Sequence, residues 1–176
     1  MKKLFVLFSA LSLFVSCQDD DTVATIPGSY TSSITINGEA FNPSPATTAE
    51  SNVTTSVSYG APNVSERSFV IRQNVANSLA SRSIILHIVY SGDDASGTYT
   101  QYPGNTVEHE FTGDGMYLFD DMASPFTDGS TFTVTDKGND TYKIEFHNVE
   151  LNPAVDNSQI ISGSIEGTFT NIPLEL

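Results

Sequence analysis

Hydrophobic and polar residues alternate with a period of two over most of the chain after residue 29. From Tyr30 to Ile36 every second residue faces one side, opposed by Ser and Thr. This pattern predicts a half-buried β-strand. Asn37 and Gly38 follow, and both tolerate the positive φ that a two-residue hairpin turn needs. Residues 39–41 are predicted as the short return strand.

The same alternation recurs along the chain and is separated by turn residues. The apolar residues of Ile84–Tyr90 lie on both faces, which predicts a central strand covered on both sides. A change of parity after Phe146 predicts a bulge near Asn148. Glycines in the last strand predict a tightly curved barrel corner or close packing of the sheet. Further strands are predicted over residues 53–59, 69–72, 97–102, 107–111, 116–119, 132–134, 142–146 and 161–169, with loops over 60–66 and 120–129.

These elements predict an all-β fold of about nine or ten strands. Short links between consecutive strands favour an antiparallel meander, and a long meander must close or fold over to remove its edges. We therefore expect a barrel or a flattened two-sheet sandwich. The pattern leaves these two alternatives open.

The first residues have the layout of a secretory leader. Lys2 and Lys3 precede an apolar run over residues 4–15, and the small residue Ser16 follows. This run is shorter than the roughly 20 residues that span a bilayer core. We expect cleavage after residue 16, an acidic tether over 17–29 and a single β domain over 30–176.

Cys17 is the single cysteine of the chain, so no intrachain disulfide can form. Val15-Ser16-Cys17 resembles the bacterial lipobox, although Phe14 stands where leucine is most usual. The resemblance implies that Cys17 carries lipid and becomes the first residue. One acyl chain holds a protein only marginally, whereas the three chains of such lipoproteins anchor it stably. The alternative is an ordinary cleaved leader.

The acidic tetrad Gln18, Asp19, Asp20 and Asp21 directly follows this cysteine. It resembles the export signal that takes lipoproteins of the Bacteroidetes group to the outer face of the outer membrane. The alternative is a solvated acidic tether. Thr22, in Asp21-Thr22-Val23, resembles an O-glycosylation acceptor of that group.

Charge excludes several classes of partner. Without its leader the chain has 160 residues, with 21 acidic and five basic side chains and a net charge of about −16. Nucleic-acid binding needs clustered Lys and Arg, and docking on anionic lipid does too. We expect neither partner. The membrane contact is expected through the N-terminal lipid alone.

Several segments resemble small uncharacterised Bacteroidetes lipoproteins. The segments are Ser33–Phe41, Phe69–Arg72, Ile84–Tyr90, Ser96–Tyr99 and Ile161–Phe169. The resemblance covers most of the domain and implies an all-β fold at the cell envelope. It implies no catalytic residue and no activity.

Metal chemistry has few candidates. His87 and His109 are expected to point inward as hydrogen-bonded core residues, and His147 outward to solvent. Glu108 and Glu110 flank His109 but lie on the opposite face of a strand, so the three cannot meet one ion. Among the acidic turns, Asp120, Asp121 and Asp128 are the first candidates for calcium, without the spacing of a calcium loop.

Catalytic motifs are absent from the sequence: it has no nucleophile elbow, no phosphate-binding loop and no zinc-binding helix motif. We expect a non-enzymatic protein without a cofactor. One hypothesis is a binding module for a glycan, a lipid or an envelope protein, and the alternative is a structural lipoprotein without a small-molecule site. The candidate ligand contacts are aromatic residues near predicted loops: Tyr99, Tyr102, Tyr117, Phe119 and Phe126.

Overall fold

The computed structural model describes residues 30–44, 53–61, 64–74, 81–101, 112–119, 122–152 and 159–172. This part of the chain contains thirteen β-strands and no helix. The strands are β1 Tyr30–Ser32, β2 Thr35–Ile36, β3 Glu39–Ala40, β4 Val53–Ala61, β5 Val64–Asn74, β6 Ser81–Ser91, β7 Gly97–Gln101, β8 Thr112–Phe119, β9 Met122–Pro125, β10 Thr131–Asp136, β11 Thr141–Glu150, β12 Ile160–Thr168 and β13 Thr170–Asn171.

All thirteen strands belong to one curled sheet that forms a half-barrel, which confirms the all-β prediction. The strand order is β13-β4-β5-β6-β8-β7-β10-β11-β12-β2-β3, with β1 on β12 and β9 on β8. β13 continues β12 after a single residue and pairs with β4. Residues 160–171 therefore pair with strands near both ends of the strand order, β11 at one end and β4 at the other.

Two pairings are parallel, so the sheet is mixed rather than wholly antiparallel. They are β13 with β4 and β7 with β8. At the second pairing Gln101 is buried, and its amide satisfies polar groups of β8. Its Oε1 accepts from the Gly115 amide at 2.8 Å, and its Nε2 donates to Asp114 at 2.9 Å. This side chain joins strands that share only two register pairs.

The predicted hairpin at Asn37 and Gly38 is confirmed. Their φ angles are 52° and 80°, and Ile36 pairs with Glu39 across the turn. The Asn37 amide donates to the Ile160 carbonyl, and the Ile160 amide donates to Asn37 Oδ1, each at 2.9 Å. The turn is therefore held against the start of β12.

Aromatic side chains fill the interior of the half-barrel. Phe69, Tyr142 and Phe169 meet edge to face, with ring centroids 5.1–5.6 Å apart. Such pairs contribute roughly 0.5–1.5 kcal/mol beyond their buried area. A second group, around Phe132, includes Phe146 and Phe126 at 6.2–6.4 Å. The described core is therefore occupied by side chains from both halves of the sheet.

The predicted bulge near Asn148 is confirmed by a shift of register in the β11–β12 ladder. Phe146 pairs with Gly163, whereas Val149 pairs with Ile161, and Asn148 has a φ of 52°. The expected close packing at the last strand also occurs. Gly163 has a φ of 96°, and a Cβ there would collide with the carbonyl oxygen of Ser33.

Two predicted loops contain strand. Residues 122–125 of the predicted loop 120–129 form β9, which pairs with β8. Residues 64–66 of the predicted loop 60–66 belong to β5, whose inward positions there are Ser65 and Arg67. Because these inward positions are polar, the sequence there shows no alternation of hydrophobic and polar residues. The strand predicted over 107–111 lies outside the described residues.

Candidate functional site

An open cleft lies at one end of the half-barrel, where β2 and β8 end and β3, β6, β9 and β12 begin. We call it the mouth cleft, and its volume is about 250 Å³. Its lining combines aromatic, apolar, charged and amide side chains. The lining residues are Ile36, Asn37, Glu39, Arg82, Tyr117, Phe119, Met122, Ala123, Ser124 and Gln159.

One wall of the mouth cleft is set by strand register. Arg82 of β6 stands opposite Phe119 of β8, and Phe119 stands opposite Met122 of β9. Residues directly opposite in antiparallel strands project from the same face. The three side chains therefore form a row across three strands. The guanidinium carbon of Arg82 lies 5.4 Å from the centre of the Phe119 ring.

The other wall comes from the hairpin and from the residue before β12. Glu39 Oε2 lies 3.9 Å from Arg82 Nη1, so β3 faces β6 across the opening. The Glu39 side chain is 78% exposed, and an exposed ion pair contributes only about 0–1 kcal/mol. Gln159 is placed by its carbonyl oxygen, which accepts from the Leu151 amide at 2.8 Å.

Two buried polar atoms of this lining have no hydrogen-bond partner among the described residues. They are Arg82 Nε, a donor, and Gln159 Oε1, an acceptor. A buried polar group left unpaired costs roughly 1–3 kcal/mol. A third such atom, Gln73 Oε1, belongs to the residue opposite Arg82 in the β5–β6 ladder. All three buried side-chain atoms that lack a partner in the described chain therefore lie at this end of the sheet.

Apolar surface lines the same cleft as these atoms. Phe119 is 38% exposed and Met122 is 52% exposed, whereas Tyr117 is buried deeper in the cleft. Burial raises the pKa of the Tyr117 hydroxyl above its usual value, although the positive charge of Arg82 opposes this shift. Tyr117 is therefore protonated at neutral pH and is able to donate a hydrogen bond. The arrangement suits a ligand with one apolar face and polar edges.

The five candidate ligand contacts do not lie together in the structure. Tyr117 and Phe119 come together in the mouth cleft. Tyr99 and Phe126 are buried in the core, so the expectation that they contact a ligand is wrong. The Tyr99 hydroxyl donates to the Ala95 carbonyl at 2.7 Å, and Phe126 packs against Gly115. Tyr102 lies outside the described residues.

The histidines are surface groups where they are described. His87 projects outward between Leu86 and Ile88, which corrects the inward prediction. Its Nδ1 lies 3.1 Å from Ser68 Oγ, and its Nε2 lies 3.7 Å from Glu66 Oε2. His147 is exposed, as predicted. His109 lies outside the described residues.

No group of three or more His, Cys, Asp or Glu side chains in the described ranges is placed to hold a metal ion. Of the calcium candidates, Asp128 is exposed in a turn, and Asp120 and Asp121 lie outside the described residues. Cys17, the tetrad at 18–21 and Thr22 also lie outside them. No helix in the described chain is long and apolar enough to cross a bilayer.

The opposite end of the sheet holds a cationic residue that the sequence pattern did not single out. Arg67 is 9% exposed, and its Nε donates to the Tyr90 hydroxyl at 3.4 Å. Burial lowers the pKa of Arg67, but the Tyr90 bond and negative charges outweigh this and raise it overall. The signal was available, because Arg67 shares the parity of Phe69 and Ile71. This end is an open recess of about 500 Å³ rimmed by acidic residues.

Sequence reasoning also missed Arg82, Met122 and Gln159. Each lies near the end of a strand, and only the curl of the sheet brings them to one opening. The chain was compared with protein-family models, with curated proteins and with solved structures, and none of them matches it. The geometry of the mouth cleft is therefore the main guide to function.

Proposed function

We propose that this chain is a lipid-anchored, non-enzymatic binding protein of the cell envelope, with the mouth cleft as its ligand site. Cys17 carries the lipid in this proposal. The tetrad Gln18–Asp21 directs the protein to the outer membrane, facing the exterior. The β domain then presents its cleft to ligands outside the cell.

The observation that carries the binding role is the pair of unpartnered atoms in the mouth cleft. Arg82 and Gln159 line the same cleft as Phe119 and Met122, whose side chains are partly exposed. Ligand sites typically combine apolar walls with a few polar groups, and the mouths of β-barrels are common places for them. A bound ligand would supply the missing hydrogen bonds.

A binding role also fits the charged groups of the cleft. Glu39 is the one carboxylate among its described lining residues, whereas glycoside hydrolysis commonly uses two. The anchor is compatible with such a role, because twelve residues, and so thirteen residue-to-residue steps, separate Cys17 from Tyr30. A segment of that length reaches at most about 45 Å from the membrane.

The alternative is a structural envelope lipoprotein, which the side-chain-filled interior favours. Ligand binding at the mouth cleft separates the two proposals. The native protein, purified in detergent, is screened against sugars, fatty acids and short peptides by ligand-observed NMR. Binding that is lost in Phe119→Ala supports the binding role, and the absence of any bound compound contradicts it.

Anchoring is tested in cells by labelling with a clickable fatty acid and by surface proteolysis. Cys17→Ser is expected to abolish labelling and membrane retention. Neutralising Asp19, Asp20 and Asp21 to asparagine should leave the protein anchored but protected from external protease. The matched control neutralises Asp93, Asp94 and Asp128, three exposed turn residues. A labelled or retained serine variant contradicts the anchor, and unchanged surface exposure of the first triple variant contradicts the export role.

A further inference from the structure

We infer that the ligand of the mouth cleft is a neutral saccharide, with one sugar ring on Phe119 and its hydroxyls on Arg82 Nε and Gln159 Oε1. This inference rests on the proposed binding function and names its ligand class. It follows from the hydrogen-bonding capacity, charge, apolar surface and size of the cleft.

The two unpartnered atoms suit a ligand that both donates and accepts. Arg82 Nε offers a proton, and Gln159 Oε1 accepts one. A hydroxyl group does both, so the hydroxyls of a sugar can pair with either atom. A fatty acyl chain would leave both atoms unpaired, at a cost of roughly 1–3 kcal/mol each.

Charge favours a neutral ligand over an anionic one. The guanidinium of Arg82 already faces the carboxylate of Glu39 at 3.9 Å. An anion would have to compete with Glu39 and approach a chain of net charge −14. A cation would be placed against Arg82. A polyhydroxylated neutral molecule meets neither obstacle.

The apolar surface suits the face of a sugar ring. The C–H groups of a pyranose ring carry partial positive charge, and the face of an aromatic ring carries partial negative charge. Phe119 offers this surface with 38% of its area exposed. Its contact with the Arg82 guanidinium holds the ring in place, since such cation–π pairs are worth about 0.5–1 kcal/mol at exposed sites.

The volume of the cleft sets the size of the bound unit. The cleft holds about 250 Å³. Pockets for drug-sized ligands hold about 300–1,000 Å³. The cleft therefore takes one ring, and because it is open, the rest of an oligosaccharide can extend into solvent.

The test uses the full-length native lipoprotein in a detergent without a sugar headgroup, because alkyl glycosides would compete. An array of neutral, uronic-acid and sulfated oligosaccharides is probed first, and the tightest neutral hit is then titrated by calorimetry. Phe119→Ala, Arg82→Lys and Gln159→Leu are compared with the wild type. Ile172→Ala is the matched control, because Ile172 is 49% exposed and lies outside the cleft. Circular dichroism checks that each variant is folded.

We expect neutral oligosaccharides to bind, with affinity about tenfold lower in Phe119→Ala and unchanged in Ile172→Ala. Arg82→Lys keeps the charge but removes the Nε donor and the guanidinium that lies over the Phe119 ring, so it should weaken binding to a similar degree. Unchanged affinity in Arg82→Lys overturns the assignment of Arg82 Nε as a ligand contact.

Three other outcomes also overturn the inference. They are preference for acidic glycans, glycan affinity that is unchanged in all three cleft variants, and binding of fatty acids or peptides in place of sugars. The last outcome leaves the proposed binding function intact when Phe119→Ala abolishes it. If no compound of any class binds, the proposed function fails together with the inference.

Discussion

The guanidinium of Arg67 lies 5.1 Å from the centre of the Tyr142 ring, inside the half-barrel. The two residues belong to β5 and β11, which are separated by four strands in the sheet order. Their contact therefore crosses the interior instead of following a strand ladder. It joins opposite sides of the curled sheet at the end remote from the mouth cleft, since β6 alone spans about 26 Å between Arg82 and Tyr90 at roughly 3.3 Å per residue.

Arg67→Leu is expected to lower the free energy of unfolding by about 2 kcal/mol. The variant loses a cation–π contact worth up to about 2 kcal/mol when desolvated and leaves the Tyr90 hydroxyl without this partner. Guanidinium unfolding followed by circular dichroism measures the change. Arg72→Leu removes the same charge from the other face of β5. Equal destabilisation by both variants would assign the effect to net charge.

Alkaline pH is expected to destabilise the fold through its buried tyrosines. Burial is the largest cause of the raised pKa values of Tyr99 and Tyr142. The unfolded chain ionises at about pH 10, whereas the folded chain resists ionisation. The stability from the neutral hydroxyls is therefore fully present below about pH 10 and is lost as the pH rises further. Denaturant midpoints should stay level from about pH 8 up to the unfolded tyrosine pKa of about 10 and fall above it, less steeply in Tyr142→Phe. An equal slope in that variant contradicts this account.

Gly163→Ala is expected to destabilise the protein by roughly 2–4 kcal/mol, because it combines positive φ with a backbone collision. Its Cβ would meet the carbonyl of Ser33, whose amide donates to the Ser164 carbonyl at 2.8 Å. Gly92→Ala is the control, since Gly92 has a φ of 78° but open space around its Cβ position. That change should cost only about 1–2 kcal/mol. Thermal unfolding of both variants isolates the collision, and equal losses would refute it.

Glu39→Gln is expected to change ligand selectivity rather than stability. The carboxylate is 78% exposed, so its removal should alter the free energy of unfolding by less than about 0.5 kcal/mol. Without it, the charge of Arg82 is no longer balanced, and uronic-acid sugars should gain affinity relative to their methyl esters. Competitive calorimetry with each acid and ester pair measures the ratio. Asp128→Asn serves as a control for lost negative charge, and an unchanged ratio in Glu39→Gln would show that Glu39 does not screen the cleft.

Local signals predicted much of the fold. The hairpin at Asn37 and Gly38 and the bulge at Asn148 follow from residues that accept positive φ. The inward parity of Phe69, Ile71 and Ile165 follows from period-two alternation, because burial drives apolar side chains to one face. These are near-neighbour effects, and the chain alone carries them.

The pairing of strands was harder to predict from the sequence. The parallel contact of β7 with β8 and the return of β13 to β4 join distant segments through a few hydrogen bonds. β9 escaped prediction because three of its four residues are small or proline, and Met122 is exposed. Arg67 and Ser65 interrupted the hydrophobic pattern although they face inward. Their burial depends on partners distant in the chain, such as Tyr90 of β6 and the Gly92 carbonyl just after that strand.

The amino-acid sequence by itself determined the all-β class and the hairpin and bulge positions, because these depend on alternation and on φ preferences over a few residues. It also supplied the hypothesis of a lipid anchor at Cys17. Only the tertiary structure decided that Tyr117 and Phe119 line a cleft whereas Tyr99 and Phe126 fill the core. It also decided that Arg82 meets Glu39 and that Gln159 joins them. The reason is physical: the curl and register of the sheet set which strand ends converge, and those depend on contacts between residues far apart in the chain.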